Sequence, residues 1–255
     1  MTALLRADQV SKTYTLGKDN VQQVLRDVSL TIEAGEFTSI MGPSGSGKST
    51  LLYNISGMDR PSGGAVTFDG QDIGALSEEA LAHLRLTRMG FVFQQSNLLR
   101  NLSILDNIVV SAYLGAREKR SAINGRALEL MARTGIAHLK NNDITQASGG
   151  ELQRAAICRA LINQPDILFG DEPTGALNST ATTEVMDILG GIHEDGGTIL
   201  LVTHDARVAA RSDRVLFMMD GQLRGEYALG RYQSQEGEWK QREACLSEWL
   251  GEMGF

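Results

Sequence analysis

The run Gly42-Pro43-Ser44-Gly45-Ser46-Gly47-Lys48-Ser49-Thr50 fits the pattern G-x-x-x-x-G-K-[ST]. Glycines in such a run let successive backbone N–H groups turn toward one point and cradle phosphate oxygens. Lys48 is then placed to reach the β- and γ-phosphates of a nucleotide, and the Ser49 hydroxyl to sit on Mg2+. An apolar run, Phe37 to Met41, precedes the loop, and a helical stretch, Ser49 to Ile55, follows it and ends at Gly57. Strand, loop and helix in that order aim a helix N-terminus at an anion. A surface glycine loop has no need of that order.

Further clusters suit the same chemistry. The apolar strand Asp166 to Gly170 runs into two acids, Asp171 and Glu172. Asp171 is placed to hold Mg2+, directly or through water, and Glu172 to polarise an attacking water as a general base. Two solvated carboxylates at a strand end would look similar, but charges abutting a buried strand carry a desolvation cost. In Ala147-Ser148-Gly149-Gly150-Glu151, Ser148 and Glu151 have the spacing of a capping box before an apolar helix, Leu152 to Ile162. Two glycines in the first turn are poor helix formers; they suit a helix start that something large approaches, and so a second phosphate-binding N-terminus. Gln94 leaves the short apolar strand Gly90 to Phe93 and is a neutral amide able to touch Mg2+ or the attacking water. His204 follows the buried strand Thr198 to Thr203, where a ring nitrogen can contact a γ-phosphate. Taken alone, a surface glutamine and a structural histidine are the plainer readings of these two. His83, His138 and His193 are read as structural.

The elements that must position these groups follow from turn signals and periodicity. The first ninety residues read as short strands: Leu4 to Val10, Val24 to Ile32 and Ala65 to Phe68, with turns at Glu33-Ala34-Gly35-Glu36, Pro61-Ser62-Gly63-Gly64 and Asp69-Gly70. From Leu98 the texture becomes helical. Ser103 with Asp106 marks a helix start, and Ala127, Leu128, Leu130, Met131 and Ile136 give an apolar face. A helical subdomain at about 98–160 is thus expected inside an α/β domain spanning 1–225. Strands alternating with helices later in the chain imply a parallel sheet with right-handed crossovers. The tail, 226–255, reads as a helical extension holding both tryptophans, Trp239 and Trp249, with Leu246 and Leu250 at roughly helical spacing. It either packs on the domain or presents an anchor to a partner.

Composition narrows the class. The chain has 255 residues, 42% hydrophobic and 22% charged, an ordinary balance for a globular protein. A net charge of −7 argues against a protein that coats nucleic acid. Cys158 and Cys245 lie far apart with no metal-like spacing, and Cys158 sits among Ala155, Ala156 and Ala160, where a buried inert thiol is expected. No apolar run approaches the roughly 18 residues that span a bilayer. The N-terminus is short, mixed and carries Asp8, unlike a signal peptide. A cytoplasmic location is expected, with any membrane role coming through a partner.

Together these motifs resemble the nucleotide-binding subunit of ABC transporters over about residues 4–223. Gly42 to Thr50 resembles its Walker A, Ile167 to Glu172 its Walker B, and Ser148 to Glu151 its signature. Gln94 is similar to the Q-loop residue, Gly175 to Asn178 to the D-loop, His204 to the switch histidine, and Tyr14 to the aromatic that stacks on adenine. The phrases from Gly90 to Leu99 and from Asp171 to Asn178 resemble the branch serving permeases for lipoprotein release, macrolide export and antimicrobial-peptide resistance. Ala147, Glu151 and Asn178 replace the family's usual Leu, Gln and Asp. The resemblance implies a P-loop ABC ATPase fold: a mostly parallel core sheet, an antiparallel β subdomain and an inserted helical subdomain. It also implies ATP and Mg2+ as ligands, with Ser49, Gln94 and Asp171 on the metal. A second copy would dock head to tail, each ATP lying between one Walker A and the other chain's signature. An integral membrane permease is the implied partner. A regulatory ATPase coupled to a permease that transports nothing is the alternative, because the ATPase part is the same in both.

Overall fold

Alternation of apolar and polar residues from Ala3 onward puts three strands ahead of the first helix in chain order. The computed structural model describes residues 3–15, 17, 21–115, 118–233 and 237–255. In chain order the strands and helices are β1 (Ala3–Thr15), β2 (Val21–Glu33), β3 (Phe37–Met41), α1 (Lys48–Ile55), β4 (Gly63–Phe68), β5 (Gln71–Asp72), α2 (Glu78–Arg88), β6 (Met89–Phe93), α3 (Ile104–Gly115), α4 (Arg120–Arg133) and α5 (Gly149–Leu161). They continue as β7 (Ile167–Asp171), α6 (Ser179–Glu194), β8 (Thr198–Val202), α7 (Ala206–Ala209), β9 (Arg214–Met219), β10 (Gln222–Ala228) and α8 (Glu238–Glu252). The chain divides into two units, Met1–Leu81 with His193–Phe255, and Ala82–Ile192.

The first unit holds an antiparallel sheet in the order β2-β1-β4-β5 and the strand run β10-β9-β3-β8. β3 pairs in parallel with β8 on one side and β9 on the other. All five residues of β3 are buried, as expected of a strand covered on both faces. At the far edge Asp213 knits the sheet together. Its N–H donates to Phe37 O, its Oδ2 accepts from Phe37 N–H at 3.0 Å, and His193 Nε2 lies 3.0 Å from that oxygen. Burial alone would raise the Asp213 carboxyl, but the bonds from His193 and Phe37 outweigh it and hold the group below its ordinary range.

The second unit pairs β6 with β7 in parallel, from Met89 opposite Ile167 to Phe93 opposite Asp171. Its helices enclose a core of Ile104, Ile108, Ile123, Ala127, Met131, Ile136, Ala155 and Cys158, among others. Ser103 Oγ accepts from Asp106 N–H at 3.0 Å and caps α3, the start its sequence signals. Cys158 is fully buried, its sulfur 3.2 Å from Thr134 Oγ1, and burial pushes its thiol up to about 11.

Two local expectations need correction. Residues Glu78–Arg88 form a helix, not part of a strand series; Leu81 and Leu84, three apart, bury one face of it. The expected boundary between 225 and 226 falls inside β10, which pairs with β9 as far as Ala228 opposite Arg214.

The two thiols give a direct check. Native chain at pH 8 should react with iodoacetamide at Cys245, which is exposed, and not at Cys158 until unfolded; mass spectrometry of native Cys158 modification would contradict the burial. For Asp213, a depressed carboxyl stabilises the fold above its unfolded pKa, and that stabilisation is lost as pH falls through the folded value. Asp213→Asn should therefore cost about 2 kcal/mol at neutral pH. The gap to the parent in thermal melts should close on acidification through and below the usual aspartate range.

Candidate nucleotide site

In the first unit β3 ends at Met41 and the chain turns at once into the glycine-rich loop. Gly42, Gly45 and Gly47 have φ of 153°, 80° and 99°, a region that favours glycine. Space adds to the requirement at Gly42: a Cβ there would stand 2.0 Å from Met218 O. The loop closes through Ser46 N–H to Pro43 O and Gly221 N–H to Ser46 O, and Leu51 N–H returns to Gly47 O in the first turn of α1. Lys48, 8% exposed, donates from Nζ to Gly42 O at 2.8 Å and Pro43 O at 2.9 Å. Its ammonium therefore lies across the mouth of the loop. Ser46 Oγ is buried with no hydrogen-bond partner among the described residues, a costly state for a hydroxyl. Inward-turned backbone, a buried ammonium and an orphaned hydroxyl fit a polyphosphate. Ser49 is partly buried in the first turn of α1. Among the described residues no three His, Cys, Asp or Glu side chains gather as a metal cage.

His204 follows β8, next to the strand that bears the loop, and is exposed. Thr203 N–H donates to Ile40 O at 3.1 Å and Asp205 N–H to Thr203 Oγ1, so the backbone on both sides of His204 is held. Tyr14 stands near the end of β1, 37% exposed. Its hydroxyl donates to Asp59 Oδ2 at 2.8 Å and hydrogen-bonds the Thr50 side chain. Lys12 Nζ lies 4.9 Å from the ring centroid and donates to Asp59 Oδ1 and Arg60 O. Burial, then the Asp59 bond, raise the phenol, which stays protonated. The ring is thus fixed at its hydroxyl end by Asp59 and approached by one cation, beside the last residue of the phosphate loop.

The second unit carries the remaining groups. Asp171 closes β7, and Glu172 follows with φ 49°, a strained state for a non-glycine residue that costs on the order of 1–3 kcal/mol. Gly175 N–H donates to Glu172 O in the turn. Gln94 leaves β6 exposed, and a Cβ at Gly175 would stand 3.0 Å from its Nε2. Ser148 caps α5: its N–H donates to Glu151 Oε2 at 2.8 Å, its hydroxyl to the same oxygen at 2.7 Å, and Glu151 N–H returns to Ser148 Oγ. The Ser148 bonds hold the Glu151 carboxyl below its usual range. The two glycines differ in use. Gly149 is exposed, whereas Gly150 is buried and a Cβ there would lie 2.9 Å from Ala181 Cβ, so its missing side chain lets α5 pack against Ala181. Asn178 Oδ1 accepts from Ala181 N–H and caps α6, a task Asn and Asp perform equally well.

Residues 25–175 match the ABC transporter family. The chain belongs to that family. It is 40% identical over 226 residues to the lipoprotein-releasing system ATP-binding protein LolD 1 of Rhodopseudomonas palustris, 88% of this chain and 100% of that one. It is 44% identical over 218 residues to the macrolide export ATP-binding/permease protein MacB of Agrobacterium fabrum, 86% of this chain but 33% of MacB. Among solved structures, the dimeric post-hydrolysis state of the ATP-binding cassette MJ0796, bound to ADP and Pi, superposes with a TM-score of 0.83 at 38% identity and covers 89% of this chain and all 100% of that one. The chain is an ATP-binding ABC ATPase and a transporter subunit. Among its described residues no helix is long and apolar enough to cross a membrane.

The first unit brings together Tyr14, the 42–50 loop and the His204 segment; the second carries Gln94, the 148–151 helix start, Asp171 and Glu172. Several supporting residues gave no sequence signal. Lys12 and Asp59 are 47 positions apart. Arg159 donates to Ser96 O and Asn97 O, and Gln153 to Phe93 O, so α5 grips the segment after Gln94. Asn107 Oδ1 accepts from Leu99 N–H at 2.6 Å and its Nδ2 donates to Leu99 O and Ser103 O. An Asn inside an apolar helix is the only hint a sequence offers of the last. Tyr14→Ala, which removes the ring, should raise the KM for ATP about fivefold with kcat within about twofold; steady-state kinetics showing an unchanged KM would remove Tyr14 from the nucleotide.

Proposed function

We propose that this ATPase dimerises on ATP and drives a membrane permease of the lipoprotein-release or macrolide-export type, in export or peptide-resistance transport. The names of its LolD and MacB relatives support the branch, and the dimeric MJ0796 cassette supports the assembly. The chain then sits on the inner face of the membrane through the permease. No nucleic acid partner is part of this reading.

The observation that carries it is the phosphate loop with Lys48 buried across its mouth. Gly42 to Thr50 hold the triphosphate, with Lys48 on the β- and γ-phosphates, and Tyr14 stacks on adenine. Mg2+, held by Ser49, Asp171 and Gln94, supplies charge neutralisation on the phosphate oxygens when bound. The 148–151 helix start of a second copy faces the γ-phosphate; Ser148 then turns its hydroxyl from Glu151 to a phosphate oxygen, and the helix N-terminus adds its N–H groups. Glu172 accepts a proton from the attacking water as its oxygen bonds to the γ-phosphorus. The bond to the β–γ bridging oxygen breaks, giving ADP and inorganic phosphate. Gln94 orients the water, and His204 donates to the transferring phosphoryl group. Loss of the γ-phosphate removes the charge shared by the two copies and opens the dimer. Motion passes to the permease through the segment Gln94 to Leu102. Its backbone is tied to α5 and α3 by Gln153, Arg159 and Asn107, so a displacement of the 148–151 helix start carries that segment with it.

Glu172→Gln should lower kcat by about 10²–10⁴-fold while ATP binding persists, and the variant should elute as an ATP-dependent dimer in size-exclusion chromatography. Hydrolysis at a near-parental rate would show that another group is the base.

A further inference from the structure

The C-terminal helix is built into the first unit, and the residue that joins it is a buried arginine. Leu246 and Leu250 of α8 are buried with Met41, Ala209, Ala210, Val215 and Phe217. The Trp249 ring centroid lies 5.4 Å from that of Tyr227, and a Cβ at Gly225 would meet Trp249 Cζ2 and Met253 Cε, both at 2.9 Å. β10 and α8 therefore touch at a place that admits no side chain on the strand. Arg242, 9% exposed, spends its guanidinium on backbone carbonyls: Nε donates to Ala210 O at 2.7 Å, Nη2 to Ser212 O at 2.6 Å and Gly230 O at 2.9 Å, and Nη1 to Leu229 O at 3.2 Å. Ala210 and Ser212 close the turn that ends α7.

α7 has four residues, Ala206–Ala209. A single turn is far too short to hold itself, so its ends must be fixed from outside. At the N-terminal end Asp205 accepts from Arg207 N–H, directly after His204. At the C-terminal end no side chain of α7 itself supplies a cap: Ser212 Oγ turns back to Ala209 O, and Arg242 takes the carbonyls of 210 and 212. A cation there also faces the negative end of the turn. Tyr232 adds to the clamp, with Arg242 and Arg211 at 5.4 and 5.6 Å from its ring centroid. His204 thus directly precedes a short turn whose start is held through Thr203 and Asp205 and whose end is anchored in α8.

We propose that Arg242 is a positioning residue for His204, and that α8 through it belongs to the hydrolytic machinery instead of being an appendage. The proposal rests on the reading of His204 as a phosphate contact. A group that only steadies the fold would alter melting temperature and active fraction; a group that aims His204 alters kcat only while His204 is present.

The test is a double-mutant cycle on the full chain with Arg242→Met, Arg242→Lys and His204→Ala, each assayed for ATPase kcat and KM, ATP affinity and melting temperature. Arg242→Met should lower kcat about tenfold with KM and ATP affinity within about twofold. Arg242→Lys, with three donors on one nitrogen, should recover part of the loss. In the His204→Ala background Arg242→Met should change the residual rate by less than about twofold. The same fold-loss in both backgrounds, or a lowered melting temperature with kcat within about twofold of the parent, would make Arg242 a strut and overturn the proposal while leaving the His204 reading intact. A His204→Ala chain hydrolysing at the parental rate would remove that reading and this proposal together. Should Arg242→Met fail to fold, the cycle is read with Arg242→Lys, where a kcat loss that persists in the His204→Ala background overturns the proposal.

Discussion

A lysine buried at the start of a helix has to be surrounded by acceptors, because an uncompensated ammonium costs several kcal/mol. Lys48 receives carbonyl oxygens from Gly42 and Pro43. The loop that delivers these carbonyls has positive φ at three glycines, Gly42, Gly45 and Gly47. The first of them has no room for a side chain because Met218 O stands against it. β9 is therefore as much a part of the loop as β3, and what backs β9 matters to the loop as well: Phe217 and Met41 share a core with Leu246 and Leu250 of α8. One buried charge thus sets requirements that run from the third strand to the last helix.

The second unit works by a different rule. Its groups are placed by local caps and by side chains that take backbone carbonyls. Ser148 and Glu151 satisfy each other at the start of α5, Asn178 starts α6, and Glu172 is held in a left-handed turn at the end of β7. The strand pair it follows is stacked through Phe91, Phe93 and Phe169. A firm strand end with one residue forced out of its preferred conformation suits the base proposed for Glu172.

Much of this was legible in the sequence because it is local. A glycine loop between an apolar strand and a helix, a capping box and two acids after a strand each announce themselves within ten residues, and the order of these motifs along the chain carried the family. What escaped was either long-range or ambiguous in type. Asp59 is a surface aspartate until Lys12 and Tyr14 are seen on it. Arg242 lies in a helix with four glutamates, where an arginine reads as part of a solvated face; only the carbonyls of 210, 212, 229 and 230 reveal its burial. Gly150 has a packing requirement against Ala181, a residue of the next helix, that no local pattern announces. Of the two readings of the Trp-bearing tail, Trp249 follows the first and packs on the domain, against Phe217 and Tyr227, a choice that helical spacing alone could not make.

The bonds that hold the segment after Gln94 end on backbone atoms. Gln153, Arg159 and Asn107 seize the carbonyls of Phe93, Ser96, Asn97, Leu99 and Ser103 and the N–H of Leu99. The exposed side chains of Leu99 and Arg100 take no part. Shape and surface are therefore inherited separately here. A lineage can rewrite the outward residues of this segment one at a time, matching a changing membrane partner, while the path of the chain beneath them stays as it was. An interface of that construction is evolvable on one side without a compensating change in the lever behind it.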